Sequence, residues 1–166
     1  MIELLAATVL APWAHPLRFG PLVGWRRGAS GTAPSLYDNV SRRVRAPKMS
    51  TAWIATRNVR YRDGVTSDPP NRTLVHLPRD GVIVWAVIFQ SRPGGQRPIR
   101  LDLRRARHYA CCEGAYLTAG SYELAGLGPG RAYAVIVRIY FGSRPDRRDR
   151  TRAQRALDRL ELPRRR

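Results

Sequence analysis

The longest uninterrupted apolar stretch of the chain is Gly81–Phe89, which reads Gly-Val-Ile-Val-Trp-Ala-Val-Ile-Phe. Its β-branched and aromatic residues favour a strand, and turn residues bound it on both sides. A run that is apolar at consecutive positions, rather than at alternate ones, predicts a strand that is buried on both faces. We therefore expect Gly81–Phe89 to form the centre of a sheet, with Trp85 packed between layers.

Further segments predict the neighbours of this strand. Ser50–Val59 and Ala132–Phe141 have strand composition, and Ser121–Leu124 is a weaker candidate. In Ile99–Leu103 apolar residues alternate with charged ones, which is the period of a strand with one wet face. We expect Ile99–Leu103 to pair antiparallel with Gly81–Phe89.

The C-terminal part of the chain has helical periodicity instead. Ser143-Arg144-Pro145-Asp146 has the spacing of a capping box, which predicts a helix from about Pro145 to Leu160 with Ser143 as its N-cap. At 3.6 residues per turn an apolar stripe faces the sheet, and a basic stripe lies offset from it. The apolar stripe is Ala153, Ala156, Leu157 and Leu160, and the basic stripe is Arg148, Arg152, Arg155 and Arg159.

At 166 residues the chain is predicted to form one domain, whose core is large enough to need no disulfide or metal. Short strands, frequent turns and one terminal helix predict a mainly β fold, either an antiparallel β-sandwich or a strongly twisted sheet, with one C-terminal amphipathic α-helix packed on it. The expected parts are a first strand at 1–11, a long irregular connection at 12–47, a β core at 48–142, the helix at 143–163 and a basic tail at 164–166.

The chain is strongly basic, with 30 Lys and Arg residues against 12 Asp and Glu and a net charge of +18. Lys48 is the only lysine, so the skew toward arginine also fits a GC-rich genome. A functional reason for the charge would be a polyanion partner, either nucleic acid or an anionic surface. The candidate polyanion-binding residues are Arg148, Arg152, Arg155, Arg159, Arg164, Arg165 and Arg166. The alternative is a solvated helix face on which Asp146, Asp149 and Asp158 pair with the arginines.

One grouping carries atoms that could bind a metal, namely His108, Cys111 and Cys112, with Glu113 as a further ligand. Adjacent cysteines on an extended chain point to opposite faces, which disfavours a shared ion, and they cannot staple distant parts of the chain. No arrangement of nucleophile and base is apparent. The glycines at 126–130 open onto a strand rather than a helix, which indicates a hairpin loop and not a phosphate loop. We predict no cofactor, and an enzyme is the less favoured class.

The location of the protein is left open by its N-terminal residues. Ile2–Ala14 is apolar, but Glu3 stands where a signal peptide carries positive charge, and no small-residue cleavage site follows. No segment has the length of a transmembrane span. The expectation from these residues is a cytoplasmic protein without a signal peptide.

Two blocks of sequence carry a resemblance. They are Leu77-Pro78-Arg79-Asp80-Gly81-Val82-Ile83-Val84, and Tyr140-Phe141-Gly142 followed by an Arg- and Ala-rich helix that closes at Leu160-Glu161-Leu162-Pro163. Together they resemble uncharacterised small β-rich envelope or extracytoplasmic proteins of high-GC Gram-positive bacteria, although this chain lacks a signal peptide or a lipidation cysteine near its start. The resemblance implies an envelope or secreted location and carries no catalytic residues.

Three functional hypotheses follow. The first is a non-catalytic β-sandwich module with a binding or structural role at the bacterial cell envelope. The second is a polyanion- or nucleic-acid-binding protein that uses the Arg-rich C-terminal helix. The third, and least favoured, is a small hydrolase or a metal-dependent enzyme that uses His108 and the cysteine pair.

Overall fold

The computed structural model describes residues 17–28, 31–33, 49–61, 71–89, 97–109, 120–131 and 133–164. Within these residues the chain forms nine strands and two α-helices. In chain order they are β1 Arg18–Phe19, β2 Trp25–Arg27, β3 Gly31–Ala33, β4 Met49–Thr56, α1 Asn71–Val75, β5 Val82–Phe89, β6 Arg107–His108, β7 Gly120–Leu127, β8 Ala134–Phe141, α2 Arg147–Leu157 and β9 Leu160–Glu161.

The main sheet has the strand order β2-β4-β5-β8-β7-β6, and β3 pairs with the same edge of β4 as β2 does. All these pairings are antiparallel. β5 lies inside the sheet between β4 and β8, and seven of its eight residues are buried. The prediction that Gly81–Phe89 is the central buried strand is therefore confirmed, as is the prediction that the strand at Ala132–Phe141 lies beside it.

One face of the sheet is covered by α2 and by the small β1–β9 sheet. Ala153, Ala156 and Leu157 of α2 are completely buried in the cluster that also contains Val84 and Val137 from the sheet centre. Three of the four residues predicted for the apolar stripe are therefore confirmed on the helix, whereas the fourth, Leu160, is buried in the same cluster but lies in β9. The fold is mainly β with one C-terminal helix packed on the sheet. Burying such a stripe is the main source of stability for a short helix.

The opposite face of the sheet carries aromatic residues around one arginine. Trp85 is 8% exposed and pairs in register with Trp53 on one side and Arg138 on the other. The Arg138 guanidinium lies 5.2 Å from the Trp85 ring and 4.3 Å from that of Tyr109, and it donates to Glu123 at 3.0 Å. Burial lowers the pKa of Arg138, but the hydrogen bond to Glu123 and the acidic groups nearby raise it above its usual value overall. This arginine is a structural cation.

The segment at residues 97–106 differs from its prediction. Ile99–Leu103 does not pair with β5, because β4 and β8 occupy both edges of that strand. Pro98 instead forms a parallel bridge to Leu127 of β7, and Leu103–Arg105 is a 3₁₀ turn. The side-chain amide of Gln154 in α2 takes the place of a partner strand, since it accepts from the Leu103 N–H at 2.8 Å and donates to the Leu101 carbonyl at 2.9 Å.

The boundaries of α2 also differ from the prediction. Asp146, and not Ser143, is the N-cap, and it forms a capping box with Asp149. The two candidate boxes are offset by three residues, and the carboxylate pair supplies two stronger acceptors than a hydroxyl and a carboxylate would. The helix ends at Leu157 because Leu160 and Glu161 form β9, which pairs with β1.

Three strands fall in the range 12–47, for which we expected an irregular connection. β1, β2 and β3 have two or three residues each, and each is held by a distant partner strand, β9 or β4. Strands so short show no period in the sequence. The first strand predicted at residues 1–11 lies outside the described residues.

The two sequence blocks that carry the resemblance meet at the ends of β5 and β8. The Gly142 N–H donates to the Gly81 carbonyl at 2.9 Å. A Cβ atom at Gly142 would lie 1.8 Å from the carbonyl oxygen of Pro78, so only glycine allows this backbone contact. The contact fixes the turn that precedes β5 against the connection between β8 and α2.

Candidate polyanion-binding cleft

A cleft of about 590 Å³ lies beside the C-terminal half of α2. We call it the arginine cleft, and it lies between the end of α2, the turn at residues 22–25 and the end of β4. Three of the four predicted stripe arginines line it, and Arg148 does not. The full lining is Pro21, Leu22, Val23, Gly24, Trp25, Thr56, Arg57, Asn58, Asp80, Arg152, Arg155 and Arg159.

Backbone hydrogen bonds fix the walls of the arginine cleft. The turn at residues 22–25 closes by a bond from the Trp25 N–H to the Leu22 carbonyl at 3.4 Å, and Gly24 has the positive φ of +83° that favours glycine. The Arg57 N–H donates to the Gly24 carbonyl at 3.1 Å, which ties the turn to the end of β4. Similarly, the Gly20 N–H donates to the Arg159 carbonyl at 2.7 Å. The cleft is therefore held by contacts between parts of the chain that are far apart in sequence.

The polar floor of the arginine cleft is a short chain of hydrogen bonds. The Thr56 hydroxyl accepts from the Val82 N–H at 3.0 Å and donates to the Asn58 amide oxygen at 2.6 Å. The Asn58 amide nitrogen in turn donates to Asp80 at 2.7 Å. Asp80 is thus held by an amide; among the described residues it is the one carboxylate in the lining, and it forms no ion pair with the cleft arginines.

The charge of the arginine cleft is largely uncompensated. Among the described residues every carboxylate has a partner in the chain, and only one of these partners is a cleft arginine: an Asp149 oxygen lies 3.4 Å from an Arg152 nitrogen. Asp146 caps α2 and Asp158 accepts from Gln154. The remaining carboxylates pair as Asp80 with Asn58, Asp102 with Arg104, Glu123 with Arg138 and Glu161 with Arg18.

Arg57, Arg155 and Arg159 therefore have no carboxylate partner among the described residues. The pairing within the helix that would make the basic stripe a self-neutralised face forms only at Arg152. Guanidinium groups that converge without a counter-charge repel one another, and an anion bound between them relieves that repulsion. This arrangement is suited to binding phosphate or carboxylate groups.

The rim of the arginine cleft is apolar. Val23 at the tip of the turn is 96% exposed, and Leu22 and the Trp25 ring are partly buried against the core. Proteins that bind single-stranded nucleic acids combine aromatic rings with basic side chains, because bases stack on the rings while phosphates contact the cations. The lining therefore offers both kinds of contact.

The sequence identified only part of this site. It predicted Arg152, Arg155 and Arg159, but not Arg57 or Trp25, whose places in the cleft depend on pairings between distant strands that leave no local signal. Arg164 is exposed and does not line the arginine cleft. Arg165 and Arg166 lie outside the described residues.

Of the residues predicted to bind a metal, only His108 lies within the described part of the chain. His108 is exposed in β6, and its ring meets that of Tyr122 edge-on at 5.9 Å. Cys111, Cys112 and Glu113 lie outside the described residues. Within the described part of the chain, no three His, Cys, Asp or Glu side chains come together as metal ligands.

No protein-family model, curated protein or solved structure matches this chain. Among the helices of the described ranges, none has both the length and the apolar character needed to cross a bilayer.

Proposed function

We propose that the protein is a non-catalytic β module that binds a phosphate-bearing polyanion in the arginine cleft, and that this polyanion is single-stranded nucleic acid. The observation that carries the proposal is the convergence of Arg57, Arg155 and Arg159 in one cleft without a carboxylate partner. Arginine suits this role because its guanidinium group can donate two parallel hydrogen bonds to one phosphate.

Two further features favour nucleic acid over other polyanions. Trp25 provides an aromatic wall beside the cations, and Leu22 and Val23 extend that wall with apolar surface. A polymer of phosphates without bases would gain nothing from these side chains. The engagement of every described carboxylate in a cap, an ion pair or an amide hydrogen bond supports a binding role over acid–base catalysis.

A location at the cell envelope, which the sequence resemblance implies, remains a prediction. Anionic polymers of the envelope also carry phosphate, so the cleft would serve there as well. The test of function therefore has to separate a ligand with bases from one without.

The test is fluorescence anisotropy with a labelled oligo(dT) over a range of salt concentrations. The cleft variant changes four cleft residues to Gln: Arg57, Arg152, Arg155 and Arg159. The control variant makes the same change at four arginines outside the cleft, so that both variants lose the same number of positive charges: Arg60, Arg131, Arg144 and Arg148. We expect the cleft variant to lose about tenfold or more in affinity and to reduce the slope of log K against log salt by about 2 to 3, at about 0.7 per phosphate contact. Equal losses in the two variants would show that net charge alone drives binding and would refute the cleft.

The identity of the polyanion is tested with long-chain polyphosphate in place of oligo(dT). We expect Trp25→Ala to weaken oligo(dT) binding by about 1–3 kcal/mol, the usual contribution of one stacked base, and to leave polyphosphate binding unchanged. If Trp25→Ala weakens neither ligand, the cleft binds phosphate polymers and the nucleic-acid assignment is wrong.

A further inference from the structure

We infer that the polyanion site does not end at the arginine cleft but continues across α2 and along residues 97–109, as one basic track. This inference rests on the proposed function and extends it to residues that the sequence did not single out. The track is defined by Arg155, Arg147 and Arg150 on α2 and by Arg100, Arg105 and Arg107 on the segment beside it.

The first step of the track crosses the helix at Arg155. This side chain lines the arginine cleft and also a second depression of about 740 Å³ on the other side of α2, which we call the helix groove. Arg147 and Arg150, one turn apart on the neighbouring stripe of α2, also line the helix groove. A chain of phosphates that leaves the arginine cleft past Arg155 therefore meets further arginines immediately.

The second step joins the helix groove to residues 97–109. Asp102, Leu103 and Arg104 form the far wall of the helix groove, and the two hydrogen bonds of Gln154 hold that wall against α2. On the other side of the 3₁₀ turn at Leu103–Arg105 lies a third depression of about 900 Å³, which we call the β6 groove. Arg104 of this turn lines the helix groove, and Arg105 lines the β6 groove. Arg100, Arg105 and Arg107 line the β6 groove.

The carboxylates along the track are already occupied. Asp102 is held by Arg104 through side-chain bonds at 2.9 and 3.1 Å, which together with a backbone bond lower the pKa of Asp102. Asp158 accepts from Gln154, and Glu123 in the β6 groove pairs with Arg138. Among the residues that line each of the three depressions, arginines outnumber carboxylates even when every carboxylate is counted, so the field along the track attracts anions throughout.

The track also carries aromatic contacts at its middle. Arg150 lies 5.6 Å from the ring of Tyr122 and 5.9 Å from that of Phe141, and it donates to the Tyr122 hydroxyl at 3.5 Å. Stacking on rings holds a guanidinium in place and leaves its remaining N–H groups for a ligand. Arg150 is thus a pre-positioned contact between the two ends of the track.

The expected consequence is a dependence on ligand length. Single-strand-binding β domains cover roughly 4–16 nucleotides, so oligo(dT) of about 5 nucleotides fills the arginine cleft alone and oligo(dT) of about 20 reaches the whole track. The track variant changes Arg105, Arg107 and Arg147 to Gln. Its control makes the same change at Arg131, Arg144 and Arg148, which line none of the three depressions.

We expect the track variant to bind the long oligonucleotide with a salt slope lower by about 2, at about 0.7 per contact, and to bind the short one like the unmodified protein. A track variant that matches its control on the long ligand would overturn the inference. The arginine cleft would still stand in that case if the cleft variant lost binding to both lengths, so a failure of the track and a failure of the cleft give different results. Equal loss on both lengths would equally refute the track, because it would mean that no separate distal contact exists.

Discussion

At the scale of single residues, Gln154 shows how a side chain can replace a strand. Its amide oxygen and nitrogen bond the backbone of Leu103 and Leu101, so a segment with the alternation of a strand is held there by a side chain, beyond the single bridge from Pro98 to Leu127. As the alternation in Ile99–Leu103 predicts, one side of this segment faces the protein, because Ile99, Leu101 and Leu103 are partly buried against the core. The choice of partner could not be predicted, since nothing in the local pattern points to an amide more than fifty positions away.

This role of Gln154 predicts that Gln154→Leu lowers the free energy of unfolding by about 1–3 kcal/mol, because it leaves a partly buried N–H and a carbonyl without partners. Gln154→Glu should lower it by at least as much, because the new carboxylate cannot donate to the Leu101 carbonyl and faces the Asp158 carboxylate, which repels it. Urea unfolding measures both, with Arg148→Ala as the control on an exposed position of the same helix, where we expect a change within about 0.5 kcal/mol. The role is disproved if Gln154→Leu unfolds at the same urea concentration as that control.

At the scale of secondary-structure elements, the sequence predicts best those elements in which one hydrophobic pattern continues over many residues. β5 and β8 have eight residues each and α2 has eleven, and each has one pattern throughout. The start of α2 shows the limit, because Ser143 and Asp146 both precede a residue that can complete a capping box. The structure uses the Asp146 box, whose two carboxylates are stronger acceptors than a hydroxyl and a carboxylate.

The cap predicts how α2 responds to acid. The Asp146 carboxylate accepts the Asp149 N–H at 2.9 Å, and this bond lowers the pKa of Asp146 below its usual 3.8. A carboxyl whose folded pKa is depressed stabilises the fold fully above its unfolded pKa, and the stabilisation is lost as the pH falls through the folded pKa. We therefore expect thermal stability to decline below about pH 4 in part through this group.

Two substitutions separate the cap from its charge. Asp146→Asn keeps a good N-cap whose side chain does not titrate. Between about pH 5 and about pH 2.5, the range in which the aspartate titrates, this variant should therefore lose less stability than the unmodified protein. Asp146→Ala should lower the midpoint of thermal unfolding by about 2–4 °C at neutral pH, whereas Ser143→Ala should leave it unchanged. A larger effect at Ser143 than at Asp146 would mean that the helix begins at the earlier box.

At the scale of the whole molecule, the candidate site is a product of topology. The stripe on α2 supplied Arg152, Arg155 and Arg159, but the arginine cleft exists because the end of β4 and the turn at residues 22–25 come up against that stripe. These approaches follow from the pairing of β2 with β4 and of β1 with β9. The basic composition by itself also fits codon bias. What distinguishes this surface is that, among the described residues, Asp149 is the one carboxylate that forms an ion pair with a cleft arginine.

The C-terminal end of the fold is anchored to the sheet by one buried hydroxyl. Tyr133, which is completely buried, donates to the Pro163 carbonyl at 2.5 Å, and burial raises the pKa of its phenol. Tyr133→Phe should lower the free energy of unfolding by about 1–3 kcal/mol, because the carbonyl is left without its donor. Urea unfolding followed by circular dichroism measures this loss. Tyr122→Phe, at a partly exposed ring, is the matched control, and equal effects at the two positions would contradict the anchor.

The pairing of β1 with β9 joins residues 18–19 to residues 160–161. During synthesis on the ribosome the strands of the main sheet are made before α2 and β9, so the apolar face that holds Val84 and Val137 lacks the cover of α2 and β9 until those elements are made. Arg152 and Arg155 lie on α2, and Arg159 lies in the turn between α2 and β9, so these cleft arginines are made at the same late stage. Closure of the core and assembly of the basic surface are therefore one late event, and a chain that has not finished folding has no arginine cleft with which to bind.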